Sequence, residues 1–173
     1  VVNGTNTIET PYFGLAFSTN ALIKGPGTLK VKTGSAAIAL SGATLTIEEG
    51  VDVDLESDDN AITGLLSYPG SLVFKKAKVK ILGAKGAINK CSSVTFEDCA
   101  ILSPEGAKME GDRLVLNGAA ITTPVIIGIK DVSVNEVEAS AVKVWGTSGK
   151  VHLMVDTPTW VRIFSLDGVC LHA

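Results

Sequence analysis

The sequence predicts an all-β protein: a right-handed single-stranded parallel β-helix of about six coils over residues 1–129, then a small antiparallel β module over 130–173. Three observations carry this expectation. A pattern of alternating apolar residues recurs along the first three-quarters of the chain. When the recurrences are aligned, the charged residues between them change sign from one repeat to the next. The composition also suits short strands joined by turns: 46% hydrophobic, only 5% aromatic, and 18 glycines in 173 residues. Val, Ile and Leu favour pleated, half-buried surfaces, and Gly supplies the turns.

The repeat consists of two apolar residues at alternate positions, a gap of four or five residues, and a second alternating pair. It is read in ALIKGPGTLKV, TLTIEEGVDVDL, SLVFKKAKVKI, SVTFEDCAIL and RLVLNGAAIT. The anchors are Ile23/Leu29/Val31, Ile47/Val53/Leu55, Phe74/Val79/Ile81, Phe96/Ile101 and Leu116/Ile121. A third short apolar stretch follows a Gly or polar turn, as in Ala36-Ala37-Ile38, Ala61-Ile62 and Ala87-Ile88. The N-terminal segment, with Val2, Ile8 and Gly14-Leu15-Ala16, reads as a coil entered partway. Anchor spacings of 24, 27, 22 and 20 residues from Ile23 to Leu116 suit a solenoid whose corners accept insertions. A helical repeat of period 3.6 does not fit. Each strand is therefore expected to pair in parallel with its equivalents roughly 4.8 Å above and below.

Inward anchors imply that the alternating polar neighbours point outward and stack. Alignment places Lys24, Glu48, Lys75 and Glu97 in one column and Glu49, Lys76 and Asp98 in a second. Lys30, Asp54 and Lys80 make a third, with the shorter pairs Lys32–Glu56 and Asp52–Lys78. Like charges directly opposite on neighbouring strands repel, so sign alternation is what in-register parallel stacking favours. Exposed ion pairs contribute only about 0–1 kcal/mol each, so these columns specify register more than stability.

After Ile127 the pattern becomes simple alternation at Val142/Val144, Val151/Leu153/Val155 and Val161/Ile163. A turn at 165–168 then precedes Val169 and Leu171. That reads as three or four antiparallel strands, expected to be incomplete or to pack its open edge on the end of the β-helix. Trp145 and Trp160 are expected in its core or junction.

A net charge of −3 and a pI near 5.4 leave no basic footprint for nucleic acid, and no apolar run approaches the roughly 20 residues of a membrane helix. Cys91, Cys99 and Cys170 are too few and odd in number for a disulfide framework. Buried free thiols are expected, with a Cys91–Cys99 bridge left open by the spacing. The chain begins without Met or a signal core, so an exported protein would be a processed form.

Two resemblances enter at this point. The stretch from GTNTI at 4–8 through GPGTL at 25–29 to SPEGA at 103–107 resembles secreted and cell-surface β-helix proteins of gut anaerobic bacteria. Membership implies surface exposure and an adhesin-like or carbohydrate-binding role, with no established activity. The tail around VRIFSLDGVCL is similar to C-terminal β-sandwich modules of that bacterial group, including type IX sorting domains. The final strands of those modules and their Gly-Tyr ending are absent here.

The acid-rich run at 48–59 is the obvious candidate for calcium, which takes oxygen ligands. However, Glu48, Glu49, Asp52, Asp54 and Glu56 each have a lysine partner in the columns, and a neutralised carboxylate is a poor cation ligand. Only Asp58 and Asp59, at a corner, lack assigned partners. No metal site and no cofactor is therefore expected. His152 and His172 lie in the tail, and Arg113 and Arg162 are the only arginines, so groups for acid–base chemistry are scarce. Exposed aromatics are the better binding candidates, since they offer flat apolar faces beside hydrogen-bonding groups. Tyr12 and Phe13 follow Pro11 in the first coil, and Tyr68 lies in the longest corner insertion, 63–70. The expected partner is a polysaccharide or a host or cell-surface glycan, met outside the cell by a non-catalytic protein through Tyr12, Phe13, Tyr68, Asp58 and Asp59. A polysaccharide lyase or hydrolase using Asp58, Asp59 and lysines of adjacent coils is the alternative, and a purely structural spacer the third reading.

Overall fold

A computed structural model describes residues 1–129, 142–147, 150–155, 163–164 and 170–172. The chain divides into two compact units, Val1–Asp131 and Val132–Ala173. Every regular element among the described residues is a strand.

The first unit is a parallel β-solenoid of about four turns with three strands per turn. The first turn holds β1 (Thr5–Thr10), β2 (Leu15–Phe17) and β3 (Ala21–Ile23). The second holds β4 (Thr28–Thr33), β5 (Ile38–Leu40) and β6 (Thr44–Ile47). The third holds β7 (Asp52–Ser57), β8 (Asn60–Gly64) and β9 (Ser71–Lys75). The fourth holds β10 (Lys78–Gly83), β11 (Gly86–Asn89) and β12 (Ser93–Glu97). Equivalent strands stack into three parallel faces, β1-β4-β7-β10, β2-β5-β8-β11 and β3-β6-β9-β12.

The register is the one the apolar anchors predict. Val31 pairs with Leu55 and Leu55 with Ile81 on the first face. Ile38, Ile62 and Ile88 align on the second, and Ile23, Ile47, Phe74 and Phe96 on the third. These side chains fill the tube, most of them wholly buried. Phe74 and Phe96 stack with ring centroids 5.5 Å apart and planes 15° from parallel. Burying one such side chain contributes about 1.5–3 kcal/mol, so the ladder of anchors sets the register much more strongly than the charges outside.

Outward residues follow the same register. Lys30 pairs with Asp54 and Asp54 with Lys80. Lys75 pairs with Glu97. Ion contacts join Lys32 to Glu56 at 2.7 Å, Lys80 to Asp54 at 3.6 Å and Lys76 to Glu49 at 3.9 Å. Glu9 extends one column, standing opposite Lys32.

The corners explain the variable period. Where the third face returns to the first, Gly25, Gly50, Lys76 and Asp98 all adopt positive φ (127°, 89°, 47° and 52°), the left-handed bend that turns the chain into its next coil. Glycine takes this conformation without strain, whereas Lys76 and Asp98 accept it at some cost. Between the second and third faces, the insertion after β8 folds back as a tip. Leu65 bridges Tyr68, Ser41 bridges Pro69, and the Gly42 amide donates to the Tyr68 carbonyl at 2.7 Å.

The expected six coils are corrected to about four. Phe96 keeps its place, but Ile101, Leu116 and Ile121 do not begin further rungs. After β12 the chain forms β13 (Ala100–Ser103) and then an antiparallel meander of β14 (Lys108–Glu110), β15 (Arg113–Leu116) and β16 (Ala119–Ala120). It returns as β17 (Val125–Gly128), which enters antiparallel between β10 and β13, so that Ile127 faces both Val79 and Ile101. An antiparallel strand satisfies the open edge of the last parallel strand and ends the stack. The apolar pairs that look like further rungs are the same residues the cap uses to close the core, with Leu114, Ile121, Val125 and Ile127 buried.

In the second unit, β18 (Val142–Thr147) pairs antiparallel with β19 (Lys150–Val155), and β20 (Ile163–Phe164) with β21 (Cys170–His172). This is the antiparallel pairing expected of the tail. Trp160 and the turn at 165–168 lie outside the described residues, as do the side chains of Trp145, His152 and His172.

Candidate functional site

The site with the most candidate residues is the corner between the first and second faces. In the first coil it spans 10–14, and in the next three 33–37, 57–61 and 83–87. Stacking brings Tyr12, Ser35, Asp59 and Lys85 into one column along this corner. The Ser35 amide donates to the Tyr12 carbonyl at 3.3 Å, and the Lys85 amide to the Asp59 carbonyl at 3.2 Å. The pair Tyr12-Phe13 and the pair Asp58-Asp59, 45 or more residues apart in sequence, therefore share one edge of the solenoid. Two rung steps, roughly 10 Å, separate Tyr12 from Asp59.

Local chemistry holds this corner in place. The Tyr12 amide donates to Thr10 Oγ1 at 3.2 Å. Thr33 and Ser57 are the buried polar residues beneath it, and both hydroxyls donate to the Ser35 carbonyl, Thr33 at 2.9 Å. Gly14 is required because a Cβ there would lie 2.7 Å from the Ala37 carbonyl oxygen. The chain thus stays tight to the core while the two rings after Pro11 project. Tyr12 is 74% exposed and Phe13 49%.

The two acids differ. Asp58 is exposed, and its amide donates to the Thr33 carbonyl at 3.0 Å. Asp59, expected to lack a partner, is instead saturated. Its Oδ2 meets Lys85 Nζ at 3.2 Å, and its Oδ1 accepts from the Asn60 amide at 2.8 Å and from Asn60 Nδ2 at 2.9 Å. Partial burial pushes the Asp59 pKa up, but the hydrogen bonds from Lys85 and Asn60 outweigh it and hold the carboxyl below its usual value. The strand columns hid this pair because it sits in the corner. Aligning 57–61 with 83–87 by the same rule would have placed Lys85 over Asp59.

Tyr68 is not part of this cluster. It projects from the corner between the second and third faces, 70% exposed, beside Leu66 at 82%. A small cleft of about 180 Å³ beside that tip is lined by Leu65, Pro69, Cys91 and Asp112 among others. Cys91 and Cys99 are both free thiols, which resolves the alternative left open by their spacing. Burial, opposed in part by a hydrogen bond from the Gly64 backbone, pushes the Cys91 thiol up to about 12.

A wide concavity of about 860 Å³ lies on the outer surface of the first face. It is lined by the alternating grid of Lys30, Asp54, Lys80, Asp52 and Lys78, in which Lys80 and Asp54 make an ion contact, with Leu102 and Ile129 as its rim. The entry of β17 creates that rim, which is why no sequence pattern announces it. A second, more polar recess of about 260 Å³ sits at the far end of the corner column, lined by Asn60, Lys85, Asn89 and Arg113. Among the described residues, no group of three or more His, Cys, Asp or Glu side chains is placed to hold a metal ion.

No family model matches the chain, and neither curated proteins nor solved structures give a match to it.

Proposed function

We propose that this chain is a non-catalytic, adhesin-like protein of the cell surface or extracellular space that binds a polysaccharide or a host-surface glycan along the first corner of its solenoid. The observation that carries the reading is the exposure of Tyr12 and its sequence neighbour Phe13, with Tyr12 at the head of a column that continues through Ser35, Asp59 and Lys85. Sugar rings present apolar C–H faces rimmed by hydroxyls, and aromatic faces beside hydrogen-bonding side chains complement both. A stack of polar side chains on four rungs, about 14 Å from first to last, offers successive contacts to a chain rather than to one sugar. The hydrogen bonds that Lys85 and Asn60 give Asp59 hold its carboxyl below its usual value, which makes it a weak proton acceptor and favours binding over acid–base chemistry at this corner. The GTNTI, GPGTL and SPEGA phrases add the likeness to surface proteins of gut anaerobes. The reading takes the coil path as right-handed, the sense nearly all parallel crossovers adopt.

A glycan array tests the proposal. Binding by the parent chain that is lost in Tyr12→Ala and Phe13→Ala, and retained in Tyr68→Ala, supports the first corner. Loss only in Tyr68→Ala moves the site to the corner between the second and third faces, and a blank array favours a spacer.

A further inference from the structure

The recess at the end of the corner column holds a guanidinium beside a lysine already paired with a carboxylate. Lys85 enters from the corner after β10, Asn60 and Asn89 from β8 and β11, and Arg113 from β15 of the cap, around a volume of about 260 Å³ floored by Ile88. The Lys85 charge is matched by Asp59 at 3.2 Å. Arg113 faces Glu110 in the antiparallel register, but Glu110 pairs with Lys108 at 3.0 Å. Among the described residues Arg113 makes no ion pair. The recess therefore holds one uncompensated guanidinium in a chain of net charge −3. Beside it stand the side-chain amide of Asn89 and the ammonium of Lys85, which has three donors and spends one on Asp59.

We infer that this recess is a carboxylate subsite, taking the acid group of a uronic or sialic sugar unit while the rest of the glycan runs back along the corner toward Tyr12. The inference rests on the glycan reading and adds the class of sugar. One surplus positive charge matches one carboxylate. The planar guanidinium fork fits its two oxygens, and the amide and ammonium donors can hold the neighbouring hydroxyls. A neutral sugar would leave the Arg113 charge without a partner.

The test is calorimetric titration of the full chain with oligosaccharides of galacturonic, glucuronic and sialic acid, each beside its methyl ester, which keeps the shape and removes the charge. At least one acid is expected to bind about tenfold or more tightly than its ester, the scale of a charge-assisted bidentate contact. Arg113→Ala should bring that acid down to the level of its ester, and Arg113→Lys should fall between. Tyr12→Ala should weaken acid and ester alike. Arg113 is exposed and makes no ion pair among the described residues, so an unchanged melting temperature is the expected control. Equal binding of acid and ester, or a preference that survives Arg113→Ala, overturns the subsite while leaving the glycan reading intact. Absence of binding to every acid also overturns it. The glycan reading falls with it only if the neutral glycans of the array are blank as well.

Discussion

Lys80 stands directly over Asp54 on the neighbouring rung, Nζ to Oδ1 3.6 Å, and Asp54 in turn stands over Lys30. The residues lie 26 and 24 positions apart, so only the closure of each coil brings them together. Both Lys80 and Asp54 are well exposed, and an exposed pair contributes about 0–1 kcal/mol. A urea-unfolding double-mutant cycle with Asp54→Asn and Lys80→Gln should return a coupling within that range, shrinking in high salt. Asp54→Lys, which stacks three lysines, should destabilise by about 1 kcal/mol.

The core behaves differently. Phe74 is wholly buried and stacks on the half-buried Phe96. Phe74→Ala removes the ring and leaves a cavity, at a cost of about 3–5 kcal/mol. Phe96→Ala should cost less. The two midpoints in urea check the order.

Asp59 links stability to pH. Its folded pKa lies below the ordinary 3.8, so its bonds to Lys85 and Asn60 are fully stabilising above that value. They weaken as the pH falls through it and are lost below the depressed folded pKa. Asp59 is more than a third exposed, so solvent screening keeps the effect small. Thermal melts from pH 6 to pH 2 should show a shallower acid-side decline for Asp59→Asn than for the parent. Parallel curves would contradict the assignment.

The two described thiols should differ in reactivity. Cys91 is buried with its pKa pushed up to about 12, whereas Cys99 is partly exposed and donates to the Phe74 carbonyl at 3.2 Å. Thiolate is the reactive form. Iodoacetamide at pH 8, followed by peptide mapping, should label Cys99 first and Cys91 only after unfolding.

The parallel stack was legible because two independent signals agreed, apolar anchors inside and alternating charges outside. Ile47 over Ile23 and Asp54 over Lys30 are both read from spacing alone. The end of the stack was not legible. Leu116 and Ile121 carry the same alternating apolar pattern whether they start another coil or close the last one, because both roles bury one face of a strand. Strand direction leaves no mark in a period of two, so the antiparallel entry of β17 could not be distinguished from a further rung. The corner site was half legible. The sequence marks Tyr12 and Phe13 as exposed aromatics of the first coil and Asp58 and Asp59 as corner acids, but their shared edge with Lys85, and the recess that Arg113 completes, depend on corner lengths and on the cap.

Ser71 and Ser93 test the stacking most directly. They are paired in register on β9 and β12, with their hydroxyl oxygens 2.9 Å apart. In a Ser71→Cys, Ser93→Cys variant, mild oxidation followed by non-reducing peptide mapping should yield a 71–93 disulfide, since paired strands lie within the range a disulfide spans. A 71–93 pair that stays reduced, while the control Ser71→Cys, Thr95→Cys closes readily, would place the coils in another register and remove the shared corner on which the binding site depends.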